Sequence, residues 1–344
     1  MKQDQKQIHG LTIFRFVSAF YVFIFHCNIH FNVYEEIPLW AYMVLRNGAI
    51  GMTFFFVLSG FVMSWAHRFE VGDNYFKKRF LRIYPAYLAM GVLTIPFLNG
   101  FNPGKLLSVL GLFLTGTQSW YSQAFSIWNF TGSWSVSTEI FFYAVFPFIY
   151  DIIKKHPLVS LFLSYIATSS IIPISLALDG KDMMPSYYMG PMHRIPEFIF
   201  GMSLGFIFSN GIKVKRKTLS LLFIFISAYF LSTYVTVLNR SYMLNNYMTV
   251  PTTGMIIFCL ASLNISKNAL TSPFIYLGKI SYSFYLMYIP LIMYVKQYKD
   301  YFSELSNFES WIVIFILNFI LAVLSYEFIE KKFAYKKKMN EVRV

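Results

Sequence analysis

Between Leu11 and Phe31 the chain reads LTIFRFVSAFYVFIFHCNIHF, an apolar run that nonetheless carries Arg15 and His26. A run of that length is a membrane-spanning helix, because roughly 20 apolar residues cover the hydrocarbon core. Eleven steps of ~100° bring a helix back to within roughly 20° of its starting direction, so Arg15 and His26 share one face, ~16 Å apart along the axis. His30, a turn beyond His26, joins the same stripe. Ionisable groups at membrane depth are costly and face a bundle interior or a wet cavity, which makes this face a functional candidate.

The remaining sequence repeats the apolar theme. With 56% hydrophobic and only 13% charged residues, the chain falls far short of the ~25% charge of a soluble domain. An all-α polytopic integral membrane protein is predicted, with spans at 11–31, 48–66, 83–99, 134–153, 158–178, 195–209, 218–238, 248–264, 280–295 and 310–329. The formal net charge of +13 reads as orientation signals and contacts with anionic membrane lipid, not as a nucleic-acid surface. Cys27 and Cys259 sit inside apolar segments and read as small hydrophobes. The leading MKQDQKQIHG has no small-residue cleavage site, so the first span is expected to be an uncleaved anchor.

A further apolar stretch, 106–120, decides the topology. If it does not cross and the N-terminus is cytoplasmic, 21 of the 29 basic residues lie on the inner side, seven on the outer side, and Arg15 within a span. If it does cross, the basic C-terminus moves outside, against the positive-inside rule. The expectation is therefore about ten spans with 106–120 re-entrant or interfacial. The whole of 1–344 is read as one membrane-embedded domain, with spans over 11–331 and a basic tail, 332–344. Both termini are placed on the cytoplasmic side of the membrane.

Two clusters carry candidate chemistry. KKRFLRIYPAY, Lys77 to Tyr87, holds Arg79 and Arg82 three residues apart, on one face if the segment is helical. It is either an orientation signal with snorkelling side chains or, with Arg15 close to the same membrane face, an anion site for a phosphorylated donor. WSVSTEIFFYAVFP, Trp134 to Pro147, holds Glu139 at about the depth of His26. A carboxylate there is expected to hold the imidazole in one tautomer and make it a better general base, or else merely to tie two helices together.

Other features are weaker. The segment from Ser119 to Trp134, SWYSQAFSIWNFTGSW, is either an interfacial aromatic belt or a platform for a sugar or lipid headgroup. Arg194 and Glu197 read as a local ion pair near the interface, and Glu327 and Glu330 as interfacial pairs with Lys331 and Lys332. His26 and His30 have metal-ligand spacing but no third ligand nearby, so no metal is expected. There is no Gly-rich phosphate loop and no Ser-nucleophile elbow.

In this order, Arg15 with His26, FFVLSGF (Phe55–Phe61), RFLRIYPAY, WSVSTEIFFYAVFP, RIPEFIFGM (Arg194–Met202), LGKISYSFYL (Leu277–Leu286) and SYEFIEKKF resemble the membrane acyltransferase-3 family, which includes bacterial O-acetyltransferases of surface polysaccharides. The resemblance implies an acetyl-CoA-dependent O-acyltransferase acting on a sugar hydroxyl, in a surface polysaccharide such as O-antigen or in its lipid-linked precursor. It assigns catalysis to His26, Arg15 and Glu139, and the CoA phosphates to Arg79, Arg82 and Arg15. Substrate contacts are expected at Trp128, Trp134 and Ser59. Relatives often place a histidine just after the LGKISYSFYL string, where this chain has Met287 and Tyr288, so that histidine's role does not carry over. The hydrolase-like domain fused to some relatives is expected to be absent. The competing reading is a transporter or flippase-like component of polysaccharide export, disfavoured because no pair of interrupted hydrophobic segments occupies matching halves.

Overall fold

The computed structural model describes residues 7–98, 102–124, 133–179, 184–237, 242–298 and 305–333. Among them every regular element is helical. In chain order these are α1 (His9–His30), α2 (Leu39–Leu45), α3 (Gly51–Ala66), α4 (Tyr75–Thr94), α5 (Pro103–Thr115), α6 (Ser133–Lys155), α7 (Pro157–Asp179), α8 (Met184–Met189), α9 (Pro191–Ser209), α10 (Lys217–Val237), α11 (Asn246–Ser262), α12 (Ser272–Gln297) and α13 (Asn307–Ser325). Prolines sit inside α4, α6, α7, α9, α11 and α12, a tolerance typical of helices whose neighbours satisfy the freed carbonyls.

Among the described residues six stretches are long and apolar enough to cross a membrane: His9–His30, Leu39–Ala66, Tyr75–Phe97, Ser133–Lys155, Pro157–Leu178 and Asn307–Phe333. The other four expected spans, 195–209, 218–238, 248–264 and 280–295, fall on α9 to α12. Those helices do not meet both criteria within the described residues. Charge is one reason: α9 carries Arg194 and Glu197, and α12 carries Lys279 and Lys296. At 13 residues α5 is too short to cross, as expected for 106–120. It lies along α4, with Phe113 stacked on Tyr87 at 4.2 Å.

The bundle has one basic end. The starts of α1, α4, α10 and α12 lie there with the ends of α3, α6, α9, α11 and α13. Lys154 donates to the Phe69 carbonyl at 2.6 Å, Val214 to the Ser262 hydroxyl at 3.1 Å, and Tyr276 to Glu327 at 3.2 Å. Arg68, Lys77, Lys78, Lys154, Lys155 and Lys213 cluster at this end, as the charge tally predicted. At the other end Trp311 donates to the Phe31 carbonyl at 2.9 Å, and Ser306 with Glu309 forms a capping box that starts α13.

Two of the sequence strings are packing devices. α3 and α9 make the most extensive helix contact among the described residues. FFVLSGF brings Gly60 to the Phe198 carbonyl, and the G-x-x-x-G of α9 brings Gly201 to that of Val57, so close that an added methyl would collide with either oxygen. Small residues at such a seam let membrane helices approach backbone to backbone. Gly278 of LGKISYSFYL does the same against Thr12 of α1. The outer faces of α7, α10 and α13 expose apolar side chains, among them Phe162, Phe225 and Ile316, the surface that lipid covers.

Candidate active site

Helices α1, α3, α4, α6 and α12 enclose a cavity of about 290 Å³ lined by Arg15, Ser59, Arg79, Arg82, Glu139 and Tyr143, together with Tyr282 and Tyr285. The helix α4 begins eight residues before the expected span, because the KKRFLR run continues the helix outward from the apolar segment. That extension places Arg79 and Arg82 on one face, three residues apart. The close α1–α12 seam at Gly278 sets α1 so that Arg15 points into the same space. Arg15 and the Arg79–Arg82 pair, far apart in sequence, therefore meet.

Their pairing is unusual. The ion pairs among the described residues are Arg194–Glu197 and Glu327–Lys331, so none of the three cavity arginines is in one. Arg15 is close enough to feel repulsion from Arg82 and attraction to Glu139 and Glu330. Arg79 lies over the rings of Tyr75 and Tyr143, at 5.6 and 5.5 Å. Its Nε is buried without a hydrogen-bond partner among the described residues. An orphaned guanidinium N–H among unpaired arginines is a site for an anionic oxygen, and phosphate matches it best.

Glu139 is already held. Its Oε1 accepts from the Ser59 hydroxyl at 3.0 Å and from the Tyr143 hydroxyl, one helical turn along α6. This corrects the expected partnership with His26. Equal depth brought the two no nearer, because Glu139 faces the arginine cavity on α6, while His26 faces α12. His26 Nδ1 instead lies 2.9 Å from the Val22 carbonyl and 3.1 Å from the Tyr288 hydroxyl. A carbonyl only accepts, so Nδ1 carries the proton and Nε2 is left bare, the form of imidazole that works as a base. A backbone carbonyl of its own helix sets the tautomer, in place of the expected carboxylate.

Other expected positions divide. Ser59 lines the cavity. Trp134 does not line the cavity: it is 3% exposed and packs in the core, its ring 4.7 Å from that of Tyr188. Trp128 lies outside the described residues. Arg194 and Glu197 form not an interfacial pair but one with both side chains wholly buried, 3.1 Å apart, beside Asn246 and Thr53. Glu327 pairs with Lys331 at 2.6 Å as expected, whereas Glu330 turns inward on a π-helical turn (Tyr326–Glu330) and accepts from Ser283. The extra residue in that turn rotates Glu330 off the lipid-facing side, which no period of 3.6 predicts.

Residues absent from the sequence-based reading complete the site: Tyr143, Tyr282, Tyr285 and Tyr288. The last three recur at every third position of SYSFYLMY, a stripe that connects the cavity to His26. That spacing was available in the sequence, but aromatic residues at helical spacing usually mark core packing.

Among the described residues, six stretches long and apolar enough to cross a membrane and an internal cavity lined by three arginines and one carboxylate define a polytopic membrane protein. The chain belongs to the acyltransferase-3 family, whose model, described as an acyltransferase domain, matches residues 8–327. YrhL of Bacillus subtilis, named as a candidate peptidoglycan O-acetyltransferase, is 26% identical over 96% of this chain and 55% of its own length. The O-acetyltransferase OatA of Staphylococcus aureus is 23% identical over 94% of the chain and 57% of its own. The acyltransferase MdmB of Streptomyces mycarofaciens is 31% identical over 44% of the chain and 41% of its own. The chain thus spans about half the length of the curated relatives it matches. No solved structure matches it.

Proposed function

We propose that the protein is a membrane O-acetyltransferase that takes its acyl group from acetyl-CoA and delivers it to a hydroxyl of a cell-envelope glycan. The observation that carries this reading is the convergence of unpaired Arg15, Arg79 and Arg82 on one cavity. Arginine forks would hold the CoA phosphates there, at the basic end of the bundle. In the transfer the acceptor hydroxyl gives its proton to His26 Nε2 as its oxygen bonds to the thioester carbon. The C–S bond then breaks, and CoA leaves as the thiol after taking a proton back. Val22 holds the ring in the required tautomer throughout.

The name of YrhL favours peptidoglycan as the acceptor class over the O-antigen type. We further propose ten spans forming one domain of the plasma membrane, with both termini cytoplasmic. The shared basic end of α1 and α13 supports that arrangement, since an even number of crossings returns the chain to its starting side.

Membranes containing the protein, given acetyl-labelled acetyl-CoA and peptidoglycan, should release free CoA only when the glycan is present and should label the glycan as an ester. His26→Ala should abolish both while leaving the protein's abundance intact. CoA release that survives in that variant, or label that never reaches glycan, overturns the reading. A transporter would release no CoA.

A further inference from the structure

The cavity has two unlike ends. Arg79 and Arg82 stand at one, in the first turns of α4. From there the lining follows α3 from Met63 to Met52, eleven residues or ~16 Å of helix. Ser59 and Glu139 lie midway. The far end holds no charge. Met52 and Tyr285, both buried, line it there. The Tyr285 hydroxyl is tied to Ser135 at 2.7 Å and lies 3.5 Å from Met52 Sδ, while the Phe55 ring packs on Tyr285 with centroids 5.8 Å apart.

This wall lies just short of His26. The ring of Tyr285 is 5.9 Å from that of Tyr288, whose hydroxyl meets His26. A donor whose phosphates sit on the arginines therefore presents its other end, the acyl group, to a methionine and two aromatic rings. Such a surface accepts a short neutral group. Resting on the acyl-CoA reading above, we propose that Met52 and Tyr285 form the end wall of the acyl pocket and thereby select acetyl donors over longer acyl chains.

The test needs no acceptor. Purified full-length protein is titrated with free CoA, acetyl-CoA and butyryl-CoA, with thermal stabilisation as the readout. Free CoA has no acyl group to meet the wall and serves as the reference for each variant. In the wild type, acetyl-CoA should bind at least as well as CoA, and butyryl-CoA about tenfold or more weaker than acetyl-CoA. Met52→Ala should raise butyryl-CoA binding relative to free CoA by about tenfold, the worth of burying two methylenes. Met52→Val gives the same comparison with a smaller change if the alanine variant does not purify. Tyr285→Phe keeps the ring in the wall and should keep the wild-type ranking. Equal binding of both acyl-CoAs by the wild type, or an unchanged ranking in the Met52 variant that purifies, overturns the proposal. If free CoA and acetyl-CoA both fail to stabilise the wild type, the acyl-CoA reading itself falls, and that outcome is distinguishable because no ranking exists to compare.

Discussion

His26 is held by Tyr288, whose hydroxyl lies 3.1 Å from the ring nitrogen Nδ1. The Tyr288 ring is fully buried, edge-on to Phe23 at 5.8 Å, so the hydroxyl has little freedom to look elsewhere. An imidazole whose Nδ1 meets both its own helix at Val22 and α12 at Tyr288 is oriented before any acceptor arrives. Tyr288→Phe keeps the packing and removes only the oxygen. We expect kcat to fall about tenfold with the KM for acetyl-CoA unchanged, because orientation of a general base matters in the transition state and not in donor binding. Initial rates of CoA release check this, and equal loss in KM would point to a collapsed cavity.

The arginine cluster makes an opposite kinetic prediction. Arg79→Ala removes a fork whose Nε is already buried and unsatisfied. A hydrogen bond to a charged group contributes about 1.5–3 kcal/mol, so the KM for acetyl-CoA should rise roughly 10- to 100-fold with a smaller effect on kcat. Arg79→Lys should rescue poorly, since an ammonium cannot reproduce the fork or its stacking on Tyr143.

Glu139 is the only carboxylate among the described residues that line the cavity, and it opposes the anion that the arginines attract. Glu139→Gln preserves an acceptor for Ser59 and Tyr143 and deletes the charge. Free CoA should then inhibit more strongly, with Ki lowered on the order of 30-fold for one phosphate charge about 8 Å away at an effective dielectric of about 20. Weaker inhibition would show that the carboxylate shapes the site and does not merely set its charge.

Gly201 tests the seam that positions Ser59. Gly201→Ala pushes a methyl into the Val57 carbonyl, and overpacking of this kind costs about 1–3 kcal/mol. The melting temperature in detergent should fall. Gly111→Ala, in open space on α5, should leave it level or raise it slightly, as alanine favours helix.

Much of the site is legible in the amino-acid sequence. Arg15 with His26, the Arg79–Arg82 pair and Glu139 are each marked by the cost of charge among apolar residues, and the arginines do meet. The true partners of His26 and Glu139 are not legible there, because equal depth says nothing about which helices are neighbours or which way each one faces. Trp134 misleads for a related reason: an aromatic residue beside a polar loop looks the same in sequence whether it points outward or, as here, into the core against Tyr188.

The sequence by itself determined that this is an all-helical membrane protein, which faces are costly, and where the basic end lies. Those follow from local quantities, namely hydropathy, helical period and charge count, which need no knowledge of neighbours. Only the tertiary structure decided that Glu139 binds Ser59 and Tyr143, that Val22 and Tyr288 hold His26, that Glu330 turns inward and that Met52 and Tyr285 line one cavity with the arginines. Each depends on how two helices are rotated against one another. That rotation is set by glycine-scale contacts such as Gly201 on Val57 and Gly278 on Thr12, which hydropathy does not register.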